Sequence, residues 1–378
     1  MSRIYGKLEP TRAEIRVLTI DPDTIFDSPL QCSLRVVSLN DRPQFEALSY
    51  VWGEDSIKKT IAIDGDPWPV SVNLELALRY LRHSDAPRTL WVDAVCINQV
   101  DTDEKNFQIP LMSRIYSDCV NVIAWLGAAN SNIEAAIAWA KRYVPDKSSS
   151  KMQPLDIDAE FPEEDSEQRN LAAFAVVDGI HALATSPYWA RVWTFQEYRL
   201  AKEEPICVCG HLIFRASIFD VEGVGKLQLA VAGIVAYITK PSLQLHLSED
   251  KKAITDAVGY FLMEVNHGGN KFSEHILCHL LQMTAKRRCS DDRDKVYGLY
   301  GMMPKAQKAY PADYRKPAKQ VLLEASAYMI NEELGASVFT YFPLRDGRLS
   351  DLSYPSWAPD LARAEINLQL KTVPPSLR

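Results

Sequence analysis

The chain has 378 residues, 47% of them apolar and 24% charged, a balance that suits a folded protein with one large core or two modest ones. Its net charge of −7, from 42 basic and 49 acidic residues, argues against nucleic acid or an anionic membrane as the main partner. No apolar run approaches the roughly 20 residues that span a bilayer, the N-terminal MSRIYGKLEPTRAE lacks the apolar core of a signal peptide, and seven cysteines, mostly inside apolar runs, fit free thiols. A cytoplasmic protein is the expectation.

In chain order, Ile15–Ile20 and Leu30–Leu39 read as strands separated by the turn-rich DPDTIFDSP. FEALSYVWG (45–53) is a third, ending in a glycine turn. Lys59–Ile63 and Trp68–Val72 flank Asp64-Gly65, a hairpin signal, and Asn73 stands where it can cap the helix LELALRYLRH. The next stretch, LWVDAVCINQVDTDEKNFQIPLMSRIYSDCVNVIAWLG (90–127), reads as strand, polar turn, helix and strand. Leu90–Ile97 is an apolar run with one charge, the pattern of a buried parallel strand. Asp101 and Glu104 form a capping box, and Phe107, Leu111, Met112 and Ile115 give the helix one apolar face. Pro110 removes an amide from that helix and predicts a kink or a late start.

Ile133–Tyr143 is a further amphipathic helix, and 145–168, rich in serine, proline and acid, is a surface loop. Leu171–Thr185 is helical, and Ile206–Phe214 is a strand with a Gly210-His211 turn inside it. From Ile218 helices dominate, at Leu227–Ile238, Lys252–Val265, His275–Lys286, Asp294–Met302 and Ala318–Asn331. The C-terminal stretch holding Pro343, Pro355 and Pro359 is irregular.

Three blocks together resemble the fungal heterokaryon incompatibility (HET) domain family: FEALSYVWG at 45–53, the whole 90–127 stretch, and YWARVWTFQEYRLA at 188–201. Their order and spacing are similar to that family's, and NLELALRYLR between them also fits. CSDDRDKVYGLYGM (289–302), ADYRKPAKQVLLEASAYMI (312–330) and YPSWAPDL (354–361) resemble the region that often follows the domain. The resemblance implies an α/β sheet-and-helix domain over 1–215, distantly like TIR and flavodoxin-like folds. A mainly helical region, 216–378, is expected to pack on it. It also implies a role in fungal self/non-self recognition, where incompatible fusion triggers cell death. Two alternatives stand beside that role: a TIR-like hydrolase that cleaves NAD, and a cofactor-free cyclase or pericyclase of Diels–Alder type folding an apolar secondary-metabolite precursor.

The candidate site residues gather in the same blocks. Ligands of open α/β sheets sit beyond the carboxyl ends of strands, which points to Asn98 and Gln99. Glu104 and Gln108, four apart on one helix face, either floor a polar pocket there or belong to a cap and a solvated face. Asp93, inside an apolar run, needs a partner; Arg191, whose planar fork can hold a carboxylate bidentately, is the obvious one, as a structural ion pair or beside a raised-pKa acid. Trp193, Gln196 and Glu197 share a face if RVWTFQE is helical, a pocket-lining set in which Glu197 is the best candidate for a general base or ribose-binding carboxylate. A core-facing tryptophan with solvated neighbours is the structural alternative.

Ser49, Tyr50 and Trp52 alternate along a strand end as ligand-lining candidates, but no GxSxG elbow surrounds Ser49. Cys96 is a conceivable nucleophile, although buried cysteines usually behave as small hydrophobes. His275, Cys278 and His279 share a helical face without a further pair at zinc-site spacing, and Cys207 and Cys209 alternate along a strand, so no metal is expected. No cofactor is expected either. The partner is a small-molecule ligand or another protein, with a homo-oligomer possible.

Overall fold

The short apolar runs of the first half close into one sheet whose central strands are buried on both faces while its outer strands expose part of their length. The computed structural model describes residues 4–53, 57–142, 156–162, 165–219, 224–238 and 276–342, and the chain divides into two units, Met1–Lys271 and Phe272–Arg378. In the first unit nine described strands form a mixed sheet: β1 (Glu14–Ile20), β2 (Gln31–Ser38), β3 (Glu46–Ser49), β4 (Lys58–Ile63), β5 (Asp66–Ser71), β6 (Arg88–Trp91), β7 (Val122–Gly127), β8 (Ile206–Cys209) and β9 (Leu212–Arg215). Their order is β5-β4-β2-β1-β6-β3-β7-β8-β9. The strands β6, β3, β7 and β8 run parallel, and antiparallel ribbons flank them. Counted in chain order, those four parallel strands lie as 2-1-3-4, so the connections reverse direction beside β3.

The helices of this unit are α1 (Val72–Leu81), α2 (Asp93–Cys96), α3 (Thr102–Asp118), α4 (Ser131–Arg142), α5 (Ile157–Glu160), α6 (Ser166–Ala184), α7 (Val192–Arg199) and α8 (Val224–Ile238). α4 and α6 share an apolar core with β7, β8 and α8, centred on Ala136, Ile137, Val177 and Ile180. Gly179 permits the close approach: a Cβ there would lie 1.9 Å from the carbonyl oxygen of Asn132. No described helix is long and apolar enough to cross a membrane.

The structure corrects several local expectations. The run Leu90–Ile97 is not one strand: β6 stops at Trp91, and Asp93–Cys96 forms the single turn α2, with amides bonding back to Val92 and Asp93 carbonyls. Apolar content cannot separate a buried strand from a buried helical turn. α1 is capped by Ser71, whose hydroxyl accepts from the Leu74 amide, rather than by Asn73. Asn73 instead donates to the Val51 carbonyl at 2.6 Å and accepts from the Trp125 indole at 2.9 Å.

The capping box at α3 is half formed. Asp101 accepts from the amides of Asp103 and Glu104, while Glu104 turns away to other partners. α3 starts at Thr102 despite Pro110, and its buried residues are Gln108, Met112, Ile115 and Tyr116, so the core face is rotated from Phe107 and Leu111. Ile206–Phe214 is a hairpin, its turn allowed by Gly210 at φ +53°. Of the expected surface loop, Ile157–Glu160 is a helical turn and α6 already begins at Ser166, while 145–155 lies outside the described residues.

The second unit is helical where described: α9 (Leu277–Met283), α10 (Asp294–Tyr297), α11 (Pro304–Ala309), α12 (Ala318–Tyr328) and α13 (Val338–Tyr341). α12 continues into a π-helical turn, Met329–Leu334, which brings Glu333 to the start of α9. There its carboxylate accepts from the amides of Leu277 at 2.6 Å and Cys278 at 3.3 Å. The helix expected at Lys252–Val265 and the irregular stretch from Pro343 onward lie outside the described residues.

Candidate functional site

The site is assembled from strand ends. Ser49 is the last residue of β3 and pairs in register with Ala124 of β7, while β6, on the other side of β3, ends at Trp91 and delivers Asp93 two residues later. The connections reverse beside β3, and in open α/β sheets the carboxyl ends of the strands at such a reversal are the usual ligand position. α7, which enters between β7 and β8 in the sequence, lies over the same ends, and its residues Val192–Tyr198 are all buried.

Within this space the side chains form one polar cluster. The hydroxyl of Ser49, fully buried, donates to Glu197 Oε2 at 2.5 Å and lies 2.8 Å from the hydroxyl of Tyr188. Arg191, which precedes α7, donates from Nη1 to the Tyr50 carbonyl at 2.8 Å and stands 3.8 Å from Asp93 through Nη2. Its guanidinium also lies over the ring of Trp52, 5.2 Å from the centroid. The Trp52 indole N–H donates to Asp93 Oδ2 at 2.7 Å, and the Ala94 amide donates to Oδ1 at 2.7 Å. The expected Asp93–Arg191 pair is therefore present through one terminal nitrogen, Nη2, while the other, Nη1, is committed to the backbone at Tyr50.

Burial dominates the acid–base chemistry. Glu197, only 2% exposed, is pushed up to about 7 by loss of water, and the charge of Asp93 pushes the same way; Arg191, the hydrogen bond from Ser49 and the nearby Tyr116 hydroxyl, which donates to the Leu48 carbonyl, oppose it. Asp93 is raised as well, first by burial, against the pull of Arg191 and the Trp52 and Ala94 hydrogen bonds. Burial also drives the Tyr50 and Tyr116 phenols well above their ordinary value, so both stay neutral. The cluster thus offers one group that can exchange a proton near neutral pH, a neutral hydroxyl array around it, and a cation held at its edge.

The other candidates fall elsewhere. Glu104 receives both nitrogens of the buried Arg16, at 2.6 and 3.0 Å, and the amide of Asn98 at 2.7 Å. Gln108 is wholly buried and donates to the Glu14 carbonyl at 2.8 Å, tying α3 to β1. Both act as cross-braces, and neither stands on a solvated face. Gln99 donates to the Asp93 carbonyl at 2.8 Å. Trp193 and Gln196 are buried in α7 together with its other residues, so the expected split between a lining face and a wet one does not occur.

Cys96 is fully buried with its thiol pushed up to about 12 by burial, which disfavours a nucleophilic thiolate. His275 lies outside the described residues; Cys278 is buried, and burial pushes its thiol up to about 12. Among the described residues no group of three or more His, Cys, Asp or Glu side chains is placed to hold a metal ion. Sequence reasoning missed Tyr116, Tyr188 and Arg16. The first two stand inside the blocks already singled out, and Arg16 is the lone charge in the apolar run IRVLTI (15–20), a signal of the same kind as Asp93.

Fold and cluster together define a mixed α/β protein with a buried acid at the carboxyl ends of its parallel strands. Residues 45–197, which hold every member of the cluster from Ser49 to Glu197, match the family model described as Heterokaryon incompatibility protein (HET). Over 93% of its length it is 25% identical to the Heterokaryon incompatibility protein 6, OR allele, of Neurospora crassa, and it spans 58% of that protein. No solved structure matches the chain.

Proposed function

We propose that this protein acts in fungal self/non-self recognition as an incompatibility factor, and that the Ser49–Glu197 cluster is the part of it that acts. The observation that carries the reading is the extent of similarity: it runs beyond the HET domain through most of the chain, toward a protein named for heterokaryon incompatibility. The test is inducible expression in a filamentous fungus. Growth arrest with the native chain and normal growth with Glu197→Gln at equal protein level is the expected result. Normal growth with abundant native protein would sink the proposal.

We also infer a second reading of the same site, that of a TIR- or flavodoxin-like domain which cleaves NAD. Its support is the 2-1-3-4 order of the parallel strands, with Ser49 and Glu197 at the reversal point where such folds bind nucleotides. Purified protein incubated with NAD is expected to release nicotinamide, and Glu197→Ala to abolish the release. An NAD pool left intact by the native protein, with no melting shift on adding NAD, would remove this reading and leave the first.

A further inference from the structure

Two carboxyl groups and one guanidinium share a largely buried space, so the three cannot all be ionised without leaving a net charge mostly out of water. The contacts decide which carboxyl is matched. Asp93 has the ion pair with Arg191, the indole N–H of Trp52 and the Ala94 amide, a full set of donors for an anion. Arg191 is fixed in that direction, because Nη1 is spent on the Tyr50 carbonyl and its plane rests on Trp52. Glu197 faces hydroxyls instead: Ser49 at 2.5 Å, Tyr188 beyond it, and Tyr116.

We propose that Asp93 is the positioning residue of this site: by drawing Arg191 onto itself and Trp52, it leaves Glu197 as the one carboxyl that holds and releases a proton. The inference rests on the reading of the cluster as the functional site, and it adds what a ligand meets there. With its proton on, Glu197 donates its one O–H either toward Ser49, and through it toward Tyr188, or to a ligand atom that takes the place of that hydroxyl. The ligand chemistry that fits is a hydrogen-bond acceptor, such as a carbonyl, an amide or a departing oxygen or nitrogen. The groups that set this balance are Ser49 and Tyr50 from β3 and its end, Asp93 from α2, Tyr116 from α3, and Tyr188 and Arg191 from the approach to α7.

The experiment is a carbon-13 NMR titration of the Asp and Glu carboxyls in the full chain, from about pH 4 to pH 9, a range that spans ordinary and raised carboxyl values. In the native protein Glu197 is expected to inflect near neutrality while Asp93 is already ionised. In Asp93→Asn the freed Arg191 turns to Glu197, and the inflection moves down by about 1 to 3 on the pH scale. A merely structural Asp93 would lower the melting temperature and leave that inflection in place, which would overturn the proposal. Should Asp93→Asn fail to fold, the native titration decides alone: Asp93 inflecting above Glu197 refutes the assignment. Neither readout uses growth arrest or NAD, so failure here is separable from failure of the functional reading.

Discussion

The first unit contains two buried ionic assemblies, and they solve opposite problems. At the Arg16 brace, one cation meets one anion. Arg16, 1% exposed, spends Nη1 on Glu104 and the Cys96 carbonyl and Nη2 on Glu104 and the Gly6 carbonyl, with the Tyr5 ring 4.7 Å away. Glu104 in turn takes the Asn98 amide. The charges cancel, and each carboxylate oxygen has a donor. At the Ser49–Glu197 cluster, one guanidinium answers two carboxyls, and the surplus falls on the residue surrounded by hydroxyls. The brace is built for stability and the cluster is left with a proton to exchange, a separation of roles on which the proposed site rests.

The largest expected effect breaks the brace. Arg16→Met keeps the length of the side chain and strands Glu104 in the interior, a loss of about 3–5 kcal/mol by urea unfolding. A loss under about 1 kcal/mol would mean that water reaches Glu104, and the contrast with the cluster would collapse.

Next in size is the pH dependence of the cluster. Glu197 titrates near 7 when folded and in the ordinary carboxyl range when unfolded, so the native state holds the proton more tightly. Its contribution is complete below the unfolded value, about pH 4.5, and is lost as pH rises through 7. The loss is on the order of 3 kcal/mol between about pH 4 and pH 8. Glu197→Gln, which is neutral at every pH, is expected to flatten that slope and to be the more stable protein at pH 8. An unchanged slope in the variant would place the titrating group elsewhere.

These contrasts also explain what was legible in the amino-acid order. The parallel strands, the hairpin at Asp64-Gly65 and the charged residues of the cluster, though not its tyrosines Tyr116 and Tyr188, could be read because burial of a whole run and polar letters inside it are local signals. Helix against strand at Asp93–Cys96 could not, since a four-residue apolar turn has no period to betray it. The cap at Ser71 was misplaced by two residues because Asn73 has an equally suitable side chain, and only the tertiary pull of Val51 and Trp125 withdraws it. Glu104 looked like a pocket residue or half of a capping box. Its true partner, Arg16, lies 88 residues earlier, and no local pattern joins them. The pairing of Asp93 with Arg191 was accessible because both are lone charges in apolar motifs. Its single-nitrogen geometry was not, since that depends on a backbone carbonyl.

A smaller effect tests the half-formed capping box that Glu104 deserts. Asp101 alone serves the first amides of α3, so Asp101→Ala is expected to cost about 1 kcal/mol. The matching change of Glu104 should cost far more, because its work lies in the brace and outside the cap. Equal losses from the two would restore the ordinary capping box and dissolve the brace.

The smallest effect is the most specific to the cluster. Ser49→Ala removes the donor 2.5 Å from Glu197 and a contact to Tyr188, without touching any formal charge. The expected cost is about 1 kcal/mol. It should be unequal across pH, because a carboxylate needs the donated hydrogen bond and a protonated carboxyl can donate its own. Since the Ser49 bond holds the acid constant of Glu197 down, its removal moves the inflection of Glu197 upward, opposite to the shift expected from Asp93→Asn. Urea unfolding at about pH 5 and pH 8 separates the cases: a loss concentrated at the higher pH places the exchangeable proton on Glu197, and a loss equal at both pH values makes Ser49 a packing residue and returns the proton to Asp93.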